Sequence, residues 1–127
     1  MKLKLAATLA CLVLAATPAL AAQFTDANAI VGSIGKNQFM RAAGKVDSAS
    51  SVRVERLSTY LGASSVGQRL ALAETIYERD LEYLHRNLML NPIATQAIRA
   101  SGFEINDIIA LSLDSEGSAI LYADDLK

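Results

Sequence analysis

Seven apolar residues, Val66, Leu70, Ala73, Tyr77, Leu81, Leu84 and Leu88, follow one another at steps of four, three, four, four, three and four. At 100° per residue they lie within about 40° of one line. A strand has no use for such a period, so residues 66–90 are expected to form one helix, roughly 37 Å long at 1.5 Å per residue. Ser65, with Gln68 three residues later, reads as its capping box. Arginine, glutamate, leucine and alanine, all good helix formers, supply most other positions.

Asn91-Pro92 ends that helix and begins another. Proline cannot donate the next ladder bond and pushes its predecessor out of helical geometry. It is well suited to the first helical position behind an asparagine cap. A short helix over 92–101 then turns Ile93, Ala94, Ala97 and Ile98 inward. Gly102 fits the left-handed closing position, with Phe103 folding back over the last turn.

Around these helices the period changes to two. Val52 and Val54 would share one face of a short strand, Arg53 and Glu55 the other, and Leu57 breaks the alternation. Residues 107–113 and 119–123 are rich in isoleucine, leucine and alanine, and Asp114-Ser115-Glu116-Gly117 between them suits a hairpin turn with glycine at positive φ. Both hairpin strands are apolar on both faces, so they need cover and a third strand. The expected fold is α+β. One long and one short helix pack on a small three-stranded antiparallel sheet, in the order β-α-α-β-β.

The N-terminus sets the remaining organisation. Lys2 and Lys4 precede an apolar run, Leu5 to Ala16, which Pro18 terminates before Ala19-Leu20-Ala21. A charged start, a short apolar stretch and small residues flanking a cleavage point make a secretory signal. The run is too short to be a permanent membrane span. The pattern resembles bacterial signal peptides cut by the general signal peptidase, and it implies cleavage after Ala21 and a periplasmic or secreted protein. The expected divisions are a signal over 1–21, a flexible leader over 22–50 and a small α+β domain over 51–127. Gly32, Gly35 and Gly44 argue against a stable helix in the leader, though Ile30, Val31, Ile34, Phe39 and Met40 offer an anchor for docking.

Cys11, the only cysteine, would leave with the signal, so core packing alone must hold the domain. Removing Lys2 and Lys4 from the twelve basic residues leaves ten against thirteen acidic ones. From Val46 onward the balance is seven basic to twelve acidic. That sign disfavours phosphate backbones and anionic membrane surfaces as partners. No second apolar run is long enough to span a membrane once the signal is removed.

No constellation of residues specifies catalysis or a cofactor. His85 is the only histidine, set beside the main apolar line with Glu82 as the nearest partner at i−3. It lacks the companion nucleophile or further ligands that catalysis or zinc would need. Glu74, Glu78 and Glu82 recur every four residues, as a solvated face does. Asp114, Glu116 and Gly117 match only part of a calcium loop, without its closing glutamate.

One feature points outward. Leu72, Ile76, Tyr83 and Leu90 form a second apolar line, about 100–140° from the first. A helix with one core face needs only one line. The second either packs on the short helix and the Phe39–Met40 leader or contacts another molecule. The function expected is therefore that of an exported non-enzymatic protein acting by protein–protein contact, as a homo-oligomer or with an envelope protein. The alternative is a module for a small ligand or a divalent metal.

Overall fold

The computed structural model describes residues 24–34, 46, 49, 51–113 and 117–127, so the signal and most of residues 35–50 lie outside the described residues. Among the described residues there are four α-helices and three strands. In chain order they are α1 (Ala27–Ser33), β1 (Ser51–Arg56), α2 (Gly67–Ile76), α3 (Glu78–Met89), α4 (Pro92–Ala100), β2 (Ile108–Leu113) and β3 (Ser118–Ala123).

The sheet is mixed, in the order β1-β3-β2, which corrects the antiparallel sheet expected. β2 and β3 form the hairpin, and Gly117 takes a φ of 88° where it enters β3. β1 runs parallel to β3, in a register from Ser51 opposite Ser118 to Arg56 opposite Ala123. Residues 119–123 of β3, the central strand, are all buried. β1, with Arg53 exposed and Val52 and Val54 packed on the core, suits an edge. Its alternation ends where expected, in a short 3-10 turn over Leu57–Thr59.

The long helix is two helices. Tyr77 leaves helical geometry (φ −108°, ψ 33°) and separates α2 from α3. The apolar line survives on either side: Val66, Leu70, Leu81, Leu84 and Leu88 are buried, while Tyr77 at the break is exposed. Thr75, Ile76 and Tyr77 are β-branched or aromatic, a run with weak helix preference. The Thr75 hydroxyl also donates to the Ala71 carbonyl (3.1 Å), a local bond that bends helices. Ser65 is not the cap. Its hydroxyl donates to Gly62 O within a preceding 3-10 turn, and the helix begins behind Val66 with no side-chain cap.

The Asn-Pro junction is as the residues predict. Asn91 Oδ1 accepts from the backbone N–H groups of Ile93 and Ala94, and Pro92 opens α4. At the far end Gly102 has a φ of 85°, and the N–H groups of Gly102 and Phe103 donate to Arg99 O and Ile98 O. Those two bonds close the helix in a Schellman motif. α4 packs along β1 and against α3.

The segment expected as flexible leader contributes α1. Asp26 caps it, accepting from Ala29 N at 2.8 Å, and Ala27 N donates to Leu61 O. Ala27, Ile30, Val31 and Ile34 are buried in the same core as the sheet, with α1 against β2 and α2. Gly32 lies outside that buried set, so its helix penalty is offset by tertiary burial of its neighbours. Val46 also joins the core, its carbonyl accepting from Asn91 Nδ2. Phe39 and Met40 lie outside the described residues.

Candidate functional site

The second apolar line is divided by the break at Tyr77. Leu72 and Ile76 stay together on α2, 61% and 60% exposed. With Tyr77 they edge a groove of about 290 Å³ between α1 and α2, lined from the α1 side by the buried Val31 and Ile34. Arg69 Nη1 donates to Asn28 Oδ1, tying the two helices together beside it. Tyr83 and Leu90 lie beyond the break on and after α3, 38% and 80% exposed, and do not line this groove. The structure therefore brings two of the four expected contact residues to one surface and leaves the other two apart from it.

His85 has neither Glu82 nor solvent as its principal partner. Its Nε2 lies 2.7 Å from Ile108 O. A carbonyl only accepts, so Nε2 carries a proton and donates it to this bond. His85 lines a larger groove, about 540 Å³, built from α3 (His85, Met89), α4 (Ile98, Arg99) and the loop through Phe103 and Ile105. Residue spacing gave no sign of it, because its walls come from two helices and a loop that only packing brings together. No hydrogen bond links His85 to a hydroxyl or carboxylate among the described residues, and no three His, Cys, Asp or Glu side chains there converge as a metal site.

Glu74, the first of the glutamate row, is half-buried. Burial raises its pKa, and the neighbouring Asp124 raises it further. Asp124 is buried, accepting from Leu126 N at 3.0 Å while its own N–H donates to Asp107 O. Asp107 shifts the other way: the Glu104 N–H donates to its Oδ2 at 2.9 Å, and Lys127 Nζ lies 3.1 Å from Oδ1. A raised carboxyl binds its proton more tightly in the folded chain, so the stabilisation from Glu74 is present in acid and is lost as pH rises through its folded value. Asp107 acts oppositely, losing its contribution as pH falls through its depressed value. Glu74→Gln mimics the protonated form. It should raise stability at neutral pH by about 0.5 kcal/mol, held small by solvent screening, and flatten the acid-side gain. Denaturant midpoints across pH will check both effects. Asp114 and Glu116 lie outside the described residues.

No helix among the described residues is long and apolar enough to cross a membrane. The described residues form a small α+β fold with a mixed sheet and surface grooves, among them the α1–α2 groove flanked by exposed Leu72 and Ile76. No protein-family model, curated protein or solved structure matches the chain.

Proposed function

We propose that the chain is exported, cut after Ala21, and works without catalysis by presenting the α1–α2 groove to a protein partner, either a second copy or an envelope component. The observation that carries this reading is the exposure of Leu72 and Ile76 side by side at one groove. Large apolar side chains concentrated at a concavity are what a binding surface uses, since each removes area from water only when a partner covers it. The charge pattern and apolar length of residues 1–21 support the export half of the reading.

Each half has its own test. Residues 1–30 fused to alkaline phosphatase, an enzyme active only outside the cytoplasm, should yield activity, and a fusion with Leu9 and Leu12 replaced by aspartate should not. For the contact, sedimentation velocity over a dilution series should show reversible self-association, or a photoreactive residue at position 76 should cross-link one envelope protein. Ile76→Asp should weaken that contact at least about tenfold, as loss of a central apolar anchor does. A chain that is monomeric throughout and cross-links to nothing removes the basis of the contact.

A further inference from the structure

The larger groove carries an arginine in its wall and a second one beside it. From Val46 onward the chain carries seven basic and twelve acidic residues. At the groove, Arg99 in the wall and Arg56 beside Phe103 stand near one lining carboxylate, Glu104. Arg99, in the last turn of α4, is exposed at its wall. Arg56 reaches over the ring of Phe103, its guanidinium carbon 5.8 Å from the centroid. Neither arginine has an ion-pair partner among the described residues, where the salt bridges are Arg53–Glu55 and Lys127–Asp107. The one carboxylate lining the groove, Glu104, accepts a backbone N–H in the capping box at Ile105–Asp107. His85 also lines the groove, its Nε2–H donating to Ile108 O.

The remainder of the surface is apolar. Ile98 and Phe103 belong to or pack on the core, and Met89 is 58% exposed. The volume falls within the range of small-molecule sites. An apolar bed with, in its wall, an arginine free of ion pairs among the described residues suits an amphipathic anion. Guanidinium pairs with carboxylate through two parallel hydrogen bonds, a geometry an ammonium ligand cannot accept.

We propose that the groove formed by α3, α4 and the 103–106 loop binds a small carboxylic acid with an apolar body, its carboxylate on Arg99 and its body against Met89, Ile98 and Phe103. This site is separate from the α1–α2 groove and does not depend on the protein-contact reading. The test is an NMR titration of the full chain with decanoate, kept below micelle formation, and in parallel with decylammonium. Decanoate should shift the amides of His85, Arg99 and Phe103 saturably and bind at least about tenfold tighter than decylammonium. Arg99→Glu should weaken decanoate at least about tenfold, the loss of one charge-assisted contact. Arg99→Gln should weaken it less, and Leu72→Asp in the other groove should change nothing. Arg99 is exposed, so its variants keep the fold. No saturable shift, equal affinity for the two ligands, or unchanged affinity in Arg99→Glu would overturn the assignment.

Discussion

Tyr122→Ala should lower the unfolding free energy by about 3–5 kcal/mol, the range for emptying a large aromatic site in a core. Tyr122 lies in the central strand with no exposed area, its ring meeting Phe24 edge-on at 5.2 Å and Tyr60 at 5.7 Å. Its hydroxyl and that of Ser112, 3.0 Å away, satisfy each other in the interior. Removing the ring deprives strands and aromatic neighbours of contact together, and leaves the Ser112 hydroxyl buried alone. Tyr122→Phe separates the two contributions: it keeps the ring and should cost only about 1 kcal/mol. Urea unfolding followed by circular dichroism reads both. A Tyr122→Ala midpoint equal to that of Tyr122→Phe would mean the ring is not packed as described.

Ile30→Ala should cost about 2–5 kcal/mol, as an isoleucine wholly inside a core does. A substitution in a flexible leader would cost almost nothing, so this variant discriminates between a tether and a structural helix. Gly32→Ala is the useful companion. An added methyl there meets no atom within 4 Å, and alanine is the better helix former by about 1 kcal/mol, so stability should rise by up to that amount. Loss of stability in the first variant with gain in the second is a pattern that only an ordered, docked helix produces.

The residues reveal some of this architecture and hide the rest for identifiable reasons. α4 is legible because its ends are chemical: an asparagine–proline pair at one and a glycine with positive φ at the other. β1 and the hairpin show through alternation and through the glycine that the turn needs. The break at Tyr77 is hidden because the apolar spacing runs through it unchanged, and only the weak helix preference of Thr75, Ile76 and Tyr77 marks it. α1 is hidden because its glycine lowers local preference while its stability comes from burial against β2 and α2. Strand direction was not readable either, since parallel and antiparallel neighbours would bury the same faces of β1. Of the candidate contact residues, Leu72 and Ile76 fall at one groove and Tyr83 and Leu90 elsewhere, a division set by the break. The groove at Arg99 has no signature, because residues from 85 to 106 meet there only after α3 and α4 have packed.

The strand at the middle of the sheet follows both its neighbours in the chain, and its parallel neighbour precedes it by 67 residues. Whatever delivers this polypeptide N-terminus first presents Val52 and Val54 with nothing to pair with until β3 arrives. Closing so wide a loop slows folding relative to a helical chain of equal length. Deleting Ser118–Ala123 would therefore remove the keystone and leave two unjoined edges, which makes this strand the switch between an open sheet and a closed one.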